Sequence, residues 1–468
     1  MSEKNITMPV SADEQVHTNQ TRRAFLRKSV AVAGGAVAAA TAASQAAAVP
    51  GGQANADAFL NASGDVTQPL PIPPTNKILG RGVVSVPYGL PSKYEAHVVR
   101  RNVEWLTPDT IASISFTPWQ DLEGIVTPNG LHFERYHAGA VDVDPKTHRL
   151  VIHGLVERPM IFTIEDLKRF PQKSAFWFLE CPANGAMEWR GVQMDSVQFT
   201  HGMMSCSEWV GVSLLDLMKA VGVKKEATWF YGEGADGAAL QRSIPLPGAK
   251  DQFGKPLPEF DTTNIYKDVI VAYAQNGEAL RPENGYPIRL IVPGCEANLS
   301  VKHLRRIKFV DKPLVTYQET RHYTDGMPDG RFRQYTLVNE ANSVVTFPCP
   351  DKKMSGKGSY ELRGIAWSGR GKVKAVDVSV DGGKTWKEAK LVDPVFSKCV
   401  TRFTMPWEWD GKEALVMSRV MDETGYVQPT LRQLREQRGS NSIYHKNSIQ
   451  TWKVLPNGEV HNVQIDNL

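Results

Sequence analysis

The sequence feature that most constrains the fold is a short apolar run that stops at a cysteine. Residues 176–179 are Phe-Trp-Phe-Leu, Glu180 and Cys181 follow directly, and Pro182 and Gly185 lie just beyond. A short apolar run bounded by turn-forming residues predicts a buried strand. The chain is therefore expected to place one thiol at the end of a rigid element, at the start of a loop.

Two interpretations of Cys181 follow from this position. A thiolate on a rigid support beside open loop backbone is well placed to bind a metal. Free cysteine is also among the most buried residue types, and on this stretch alone that base rate favours a structural core residue. The five cysteines include no CxxC pair, so the sequence has no zinc-type spacing and no CxxCH haem attachment. Their odd number leaves at least one thiol unpaired in an exported protein, and we assign that role to Cys181.

The N-terminal segment has the pattern of an export signal. An arginine pair, Arg22-Arg23, precedes an uncharged, alanine-rich run that continues to about Ala48. This pattern predicts a twin-arginine signal peptide over residues 1–56, with cleavage after Ala48 or within 54–56. A membrane anchor is the alternative, but a run of alanine and glycine is too weakly apolar to span a bilayer stably. Because twin-arginine export carries folded proteins, often loaded with a cofactor, we expect a periplasmic protein with a buried cofactor.

Beyond the signal, the composition is ordinary for a globular protein, with 41% hydrophobic and 22% charged residues. A formal net charge of +4 over 468 residues gives no support to a nucleic-acid-binding surface. No long apolar segment follows the signal, so no membrane anchor is expected. Residues 57–110 are rich in Pro, Gly and Asn and are expected to form an extended N-terminal arm.

Residues 111–315 mix helix and strand signals. A capping box that begins at Thr163 predicts a helix ending before Pro171. Ser213 predicts the start of an amphipathic helix that Gly222 closes. The remaining signals are strands at 228–231, 269–274 and 288–292 and a hairpin turn at 276–277. Helices and strands in this order predict a mixed α+β domain.

The pattern changes after residue 315. Polar residues dominate 316–339, which we expect to be a linker. Beyond it, Val376, Val378 and Val380 alternate with other residues before a turn-forming Asp-Gly-Gly sequence. Short strands with Gly and Pro turns continue to the C-terminus, which predicts a β-sandwich over 340–468.

Four motifs in this order resemble the sulfite oxidase family of molybdenum enzymes, with the greatest similarity to its sulfane dehydrogenase branch. They are TPNGLHFERYH (127–137), FLECPAN (178–184), GYPIRLIVPG with SVKHLRRIKF (285–309), and LRGIAWSGRGKV with VDVSVDGGKTW (362–386). The resemblance covers nearly the whole mature chain. It implies a molybdopterin-binding catalytic domain over 111–315, a linker over 316–339, and an immunoglobulin-like β-sandwich dimerisation domain over 340–468.

The resemblance implies a role for each matching residue. Cys181 would supply the one protein thiolate to a molybdenum that also takes two sulfurs from a pyranopterin dithiolene, and this replaces its interpretation as a structural cysteine. Arg135 would face the substrate oxyanion and His137 the pterin. Arg289 and Lys302 would neutralise the phosphate of the cofactor. The other cofactor-binding residues implied are Phe133, Glu134, Tyr136, Asp236, Asn284 and, through their backbone, Ser300 and Val301.

The active-site tyrosine of the family falls on Tyr323, at a spacing of about twenty residues after the pterin-binding lysine. A phenol at this place can donate a hydrogen bond and relay a proton. Tyr317 is the competing candidate, and the spacing from Lys302 favours Tyr323.

Three positions depart from the family pattern. Asn284 stands where a pterin-binding histidine is common, and Tyr136 stands where asparagine is common. Ala186 replaces an arginine that binds the small anion in the sulfite oxidases. Loss of that charge-assisted contact is expected to weaken the grip on free sulfite. We interpret Ala186 as opening the pocket for a larger substrate.

The resemblance implies a periplasmic molybdenum oxidoreductase that oxidises sulfane sulfur on a carrier-protein cysteine to the sulfonate level. Electrons would pass to a c-type cytochrome subunit, and this chain would form a homodimer within a hetero-oligomer. A sulfite dehydrogenase on the same scaffold is one alternative, and a methionine-sulfoxide reductase is another. From a different class, a cofactor-free β-sandwich scaffold would bind partners only, and metal content separates it from the enzymes.

Overall fold

A computed structural model of the chain describes residues 91–103, 112–238, 240–334 and 336–465. The predicted signal peptide and most of the predicted N-terminal arm lie outside the described residues. The strands before residue 316 are β1 (Arg101–Asn102), β2 (Ile114–Phe116), β3 (Glu134–Arg135), β4 (Leu150–Gly154), β5 (Met160–Phe162), β6 (Gln172–Glu180), β7 (Met204–Ser213), β8 (Trp229–Gly234), β9 (Gln241–Pro245), β10 (Ile270–Gln275), β11 (Glu278–Ala279), β12 (Arg289–Ile291) and β13 (Leu304–Val310). The helices of this part are α1 (Ile164–Lys168), α2 (Val197–His201), α3 (Leu214–Val221) and α4 (Glu259–Asp268).

These strands form three sheets. A small antiparallel sheet contains β1, β2 and β3. A second sheet has the order β11-β10-β7-β6, and β12 also pairs with β10. A third has the order β5-β4-β13-β8-β9, in which β4 and β13 run parallel. A hydrophobic core lies between the third sheet, α1, α3, α4 and one face of β10 and β12.

The apolar run before Cys181 forms the buried end of β6, as predicted. Trp177, Phe178 and Leu179 are at most 5% exposed. The strand pairs along its whole length with β7, from Gln172 opposite Val212 to Glu180 opposite Met204. Because β6 is hydrogen-bonded and packed up to its last residue, the position of Cys181 is determined by a rigid support.

The helix signals in this part are also confirmed. Thr163 caps α1 with a reciprocal capping box, in which its hydroxyl oxygen accepts from the N–H of Asp166. Ser213 caps α3, and Gly222 ends that helix with a φ of +66°, a conformation that favours glycine. The Asn276-Gly277 pair forms the hairpin turn between β10 and β11, with positive φ at both residues.

The segment over 316–339 is more ordered than the predicted linker. Thr316 and Glu319 form a capping box that opens a short helix, α5 (Tyr317–Arg321). A two-stranded hairpin of β14 (Asp325–Gly326) and β15 (Phe332–Arg333) follows. Asp325 is 2% exposed and binds Arg438 and Thr336, so this segment is packed into the protein. The polar composition of this segment suggested a linker. In the structure its polar side chains instead pair with other residues of the protein, so the segment is packed.

The C-terminal part is a β-sandwich, and the predicted α+β fold class is confirmed. One sheet has the order β16-β17-β21-β20 and the other β19-β18-β22-β23-β24. Their bounds are β16 (Asn342–Phe347), β17 (Gly358–Trp367), β18 (Val373–Ser379), β19 (Lys387–Glu388), β20 (Lys390–Val392), β21 (Thr401–Trp409), β22 (Ala414–Asp422), β23 (Thr451–Val454) and β24 (Val460–Val463), with α6 at Leu431–Arg438. Val376 and Val378 point inward, as their alternation predicted.

The sandwich core continues into the first part of the chain. Phe178 of β6 and Cys206 of β7 belong to the same buried cluster as Val344 and Phe403 of the sandwich. All described residues accordingly fall in one compact unit. The domain boundaries at 111, 316 and 340 stay predictions. Within the described ranges, no helix has the length and apolarity needed to cross a membrane.

Candidate active site

A cavity with an empty volume of about 690 Å³ opens beside the end of β6. Ten of the thirteen residues predicted for the site line it, although they come from stretches far apart in the chain. The walls are formed by His132, Phe133, Arg135, Tyr136, His137, Cys181, Asp236, Ala238, Leu240, Arg289, Ala297, Asn298, Ser300, Lys302 and Tyr323.

Cys181 contributes the one thiol of the cavity wall. Its N–H donates to the carbonyl of Met203 at 2.9 Å, and its carbonyl accepts from the N–H of Asn184. Burial raises the pKa of this thiol to about 11, although an N–H of Ala183 and the charge of Arg135 act in the opposite direction. Metal coordination would favour the thiolate. Across the described ranges, no three His, Cys, Asp or Glu side chains gather as a metal site.

Two cations that form no ion pair within the described part of the chain also line the cavity. Arg289 is 3% exposed, and its Nη1 and Nη2 donate to the carbonyls of Asn284 and Ser300, both at 2.9 Å. Lys302 Nζ lies 3.6 Å from the centre of the Tyr136 ring and donates to the carbonyl of Arg135. Neither side chain forms an ion pair with any described residue. Such a pair fits an anionic ligand.

Burial perturbs the pKa values of both cations. Burial lowers the pKa of Lys302 to about 7, and the nearby guanidinium of Arg289 adds to the effect. Burial also lowers the pKa of Arg289 to about 10. Gly285 lets the two segments approach, because a Cβ at this residue, whose φ is +106°, would lie 3.0 Å from Lys302 Cα. The protein thus maintains buried positive charge that a bound anion would stabilise.

A hydrogen-bonded row connects Arg135, His137 and Tyr323. Arg135 Nη2 lies 3.2 Å from His137 Nδ1, and His137 Nε2 lies 3.4 Å from the Tyr323 hydroxyl. A guanidinium can only donate, so Nδ1 accepts and the proton of the neutral imidazole is on Nε2. The imidazole then donates to the phenol oxygen. The phenol hydrogen of Tyr323 remains for an acceptor in the cavity.

The protonation states in this row follow from burial. Burial, together with the charge of Arg135, lowers the pKa of His137 to about 4, so the imidazole is neutral at pH 7. Burial raises the pKa of Tyr323 well above its ordinary value, so the phenol keeps its proton. Tyr323 is 9% exposed, whereas Tyr317 is 67% exposed and is absent from the wall. The geometry therefore supports Tyr323 over Tyr317.

Phe133, Tyr136 and Asp236 complete the predicted wall. Phe133 is 7% exposed, and its N–H donates to Ser205 Oγ. The Tyr136 hydroxyl lies 2.8 Å from His303 Nε2 and donates to the carbonyl of Pro282. Asp236 lies half-buried and interacts electrostatically with Lys302. These contacts hold the aromatic rings of the wall in place.

Three predicted cofactor-binding residues lie outside the wall. Glu134 accepts from the hydroxyls of Ser113 and Ser115 on the other side of β3. Val301 is fully buried in the main core, and its carbonyl accepts from Leu290. Asn284 is 1% exposed and contributes its carbonyl to Arg289.

Ala186, the residue at the position of the missing arginine, also lies outside the wall. It starts a 3₁₀-helix, Ala186–Arg190, in the loop that follows Cys181. Gly185 precedes it with a φ of +72°. An arginine at residue 186 would therefore start from the loop next to Cys181.

Sequence reasoning missed His132 and Asn298, which both line the cavity. His132 is 1% exposed, burial lowers its pKa to about 3, and its Nε2 has no hydrogen-bond partner among the described residues. Its place within the stretch 127–137, directly before Phe133, was the available signal. Asn298 had no such signal, because it faces the cavity only through the 3₁₀-helix Ala297–Leu299.

The residues present fit a molybdenum–molybdopterin cofactor. The cavity offers a single thiol, two cations that form no ion pair within the described residues, and two buried atoms without a hydrogen-bond partner there, the donor Arg289 Nε and the acceptor His132 Nε2. A soft thiolate ligand suits molybdenum, and the two cations with an unpaired donor and an unpaired acceptor suit an anionic group rich in hydrogen-bonding atoms.

Comparison with known proteins agrees with this chemistry. Residues 137–318 match the family model of the oxidoreductase molybdopterin binding domain, and residues 333–452 match that of the Mo-co oxidoreductase dimerisation domain. A crystal structure of the sulfane dehydrogenase SoxCD from Paracoccus pantotrophus is similar with a TM-score of 0.79 and 48% identity. That likeness covers 84% of this chain and 97% of the other.

Two curated relatives lie further away. Mitochondrial sulfite oxidase of Mus musculus is 30% identical over 334 residues, which are 66% of this chain and 58% of the relative. An NADH nitrate reductase of Solanum lycopersicum is 32% identical over 347 residues, which are 65% of this chain and 36% of the relative. The chain thus spans 36% and 58% of the length of these two relatives. Together with the site, these similarities show that the chain belongs to the sulfite oxidase family of molybdopterin-binding oxidoreductases.

Proposed function

We propose that the protein oxidises sulfane sulfur bound to a cysteine of a carrier protein, up to the sulfonate level. The observation that carries the proposal is the row Arg135, His137 and Tyr323, which ends with a phenol hydrogen at the cavity that Cys181 also lines. The similarity to a sulfane dehydrogenase supports the sulfur substrate. Family membership favours an oxidoreductase over a cofactor-free scaffold.

Cys181 would be the metal ligand, and Arg289 and Lys302 would hold the phosphate of the molybdopterin. Phe133, Tyr136 and His137 would contact the pterin from the wall of the cavity. When bound, the molybdenum centre supplies oxygen-atom transfer to sulfur and accepts two electrons for each oxygen. Each added oxygen comes from water, with release of two protons and two electrons.

Arg135 would stabilise negative charge that develops on the substrate oxygen, because a guanidinium is a cationic hydrogen-bond donor. His137 orients Tyr323 by donating from Nε2 to the phenol oxygen. Tyr323 would donate a hydrogen bond to an oxygen atom in the cavity while its phenol oxygen accepts from His137 Nε2. Each of these roles uses hydrogen bonds that are present before substrate binds.

The electrons would pass singly to a c-type cytochrome subunit, because no haem attachment sequence occurs in this chain. We propose a homodimer of this chain within such a hetero-oligomer, since residues 333–452 match a dimerisation domain. The arginine pair at 22–23 supports export in the folded state to the periplasm.

Turnover by the purified holoenzyme tests the substrate assignment. The assay compares a carrier protein loaded with sulfane sulfur against free sulfite, with oxidised cytochrome c as the acceptor. We expect turnover of the loaded carrier to exceed that of sulfite. Vigorous oxidation of free sulfite without turnover of the carrier would assign the chain to the sulfite dehydrogenases instead. Oxygen transfer in the reverse direction, from methionine sulfoxide with a reduced donor, would support the reductase alternative.

A further inference from the structure

A fully buried arginine, Arg242, lies directly behind Tyr323. It is on β9, is 0% exposed, and its guanidinium carbon lies 4.9 Å from the centre of the Tyr323 ring. Its Nη1 donates to Glu296 Oε2 at 3.1 Å and to Asn298 Oδ1 at 2.8 Å. Burial of a charged side chain is costly unless it is paired and hydrogen-bonded, so this arrangement indicates a specific role.

The carboxylates around Arg242 connect it to the two segments that carry cavity residues. Glu296 immediately precedes the 3₁₀-helix that brings Asn298 to the cavity, and His445 Nε2 lies 2.7 Å from its other oxygen. Glu319 lies on α5, four residues before Tyr323, and its Oε1 is 3.8 Å from Arg242 Nε. Glu319 also accepts from the N–H groups of Ser243 and Thr316, so the start of α5 is tied to β9. Arg242 therefore joins both segments.

We propose that Arg242 is a positioning residue: it holds the Tyr323 ring so that the phenol points to the cavity and to His137. This inference rests on the proposed function, because it gives Tyr323 its role in the reaction. A cation over a desolvated aromatic face attracts the ring, and the two flanking carboxylates prevent the guanidinium from moving away. Arg242 itself is not part of the cavity wall. Its effect on the reaction must therefore pass through Tyr323 or Asn298.

A double-mutant cycle in the holoenzyme tests the proposal. Arg242→Met is expected to lower kcat for the loaded carrier on the order of 100-fold with little change in KM, because a displacement of about 1 Å at a catalytic group can cost that much. In a Tyr323→Phe background the same change is expected to cost less than about threefold, since a group acting through the phenol has nothing left to position. Arg242→Lys, which retains the charge, is expected to restore part of the lost rate. If Arg242→Met lowers kcat by the same factor in the wild type and in the Tyr323→Phe background, the proposal is overturned.

Arg402 provides a matched control. It is 8% exposed, its guanidinium carbon lies 5.7 Å from the centre of the Trp119 ring, and it donates to the carbonyls of Leu122 and Gly124. Arg402→Met removes a comparable buried cation from outside the cavity. We expect it to lower stability without changing kcat at temperatures where the variant is folded.

A second measurement does not depend on turnover. A crystal structure of the Arg242→Met holoenzyme is expected to show the Tyr323 hydroxyl displaced from its 3.4 Å contact with His137 Nε2, with molybdenum content unchanged. A Tyr323 hydroxyl that has not moved in this variant would refute the positioning role of Arg242. Failure of the wild type to oxidise sulfane sulfur would count against the proposed function alone, so the two failures are distinguishable. If Arg242→Met does not fold, Glu296→Gln replaces it, because its amide oxygen can still accept from Arg242 and Asn298 and its NH2 group can donate to His445 Nε2, while the charge on Arg242 loses a partner.

Discussion

Replacement of Lys302 by methionine is predicted to stabilise the cofactor-free protein and to abolish retention of the cofactor. Burial lowers the pKa of Lys302 from 10.5 to about 7. At 1.36 kcal/mol for each pKa unit, the folded state disfavours the ammonium form by on the order of 5 kcal/mol. Methionine removes this cost but loses a hydrogen bond to Arg135 worth about 1 kcal/mol and a contact with the Tyr136 ring worth about 1–2 kcal/mol. A net gain of about 2 kcal/mol remains.

The pH dependence of this gain has a definite sign. Between pH 7 and 10.5 the unfolded chain binds the proton that the folded state has released, so wild-type stability rises with pH across this window. Below about pH 7 both states are protonated and the full cost applies. The difference between Lys302→Met and wild type should therefore be largest at pH 7 and below, and should shrink as pH rises.

Urea unfolding of protein produced without molybdenum cofactor measures the free energy of unfolding at several pH values. Lys308→Met on the neighbouring strand is the control, because Lys308 lies outside the cavity wall, and we expect a change within about 0.5 kcal/mol. In the holoprotein, Lys302→Met should lose the cofactor on gel filtration. A variant that is less stable than wild type at pH 6 and still retains the cofactor would refute the idea that Lys302 is kept charged for an anionic ligand.

Three further predictions concern single residues of the site. Gly285→Ala should destabilise the fold by about 1–3 kcal/mol and weaken cofactor retention, because a φ of +106° and a Cβ 3.0 Å from Lys302 Cα leave no room for the methyl group. Thermal unfolding measures the loss of stability, and molybdenum content measures the loss of cofactor. The turnover rate should show no ionisation of His137 between pH 6 and 8 and should fall only as the pH approaches 4, because the charged imidazole can no longer accept from Arg135. A pH–rate profile with a titration near pH 6.5 that is lost in His137→Phe would contradict this. Ala186→Arg should raise the ratio of sulfite to carrier turnover about tenfold or more through a charge-assisted contact in the loop after Cys181, and an unchanged ratio would remove Ala186 from the substrate argument.

Sequence patterns predicted correctly those helix ends, turns and strand ends that depend on residues close together in the chain. The capping box at Thr163, the N-cap at Ser213, the Asn276-Gly277 turn and the strand ending before Cys181 depend on neighbouring residues, and the structure has each of them. The linker at 316–339 was less well predicted, because its polar residues are paired with partners distant in the chain.

Alternation of side chains along extended backbone accounts for two predicted residues that lie outside the cavity wall, Glu134 and Val301. Phe133 and Arg135 line it, and Glu134 between them points to the serines on the other side, as alternation along an extended chain requires. Ser300 and Lys302 likewise line it, whereas Val301 enters the core. Motif resemblance assigned whole stretches, so it could not separate the alternating residues; their roles toward the cofactor stay predictions.

Arg242 shows what sequence patterns cannot supply. It lies in a strand with no motif of its own, and its partners Glu296 and Glu319 are brought to it only by the third sheet and by α5. A buried charge is recognised from its three-dimensional surroundings, since a single arginine in a sequence is indistinguishable from a surface arginine.

The central claim is that Cys181 is the protein ligand of a molybdenum cofactor in this cavity. The most direct test is metal analysis combined with X-ray absorption spectroscopy on the purified wild type and on Cys181→Ala. We predict about one molybdenum per wild-type chain with a sulfur shell that includes one cysteine thiolate, and loss of that sulfur or of the metal in a variant that remains folded. An unchanged molybdenum content and an unchanged sulfur shell in Cys181→Ala would contradict the account.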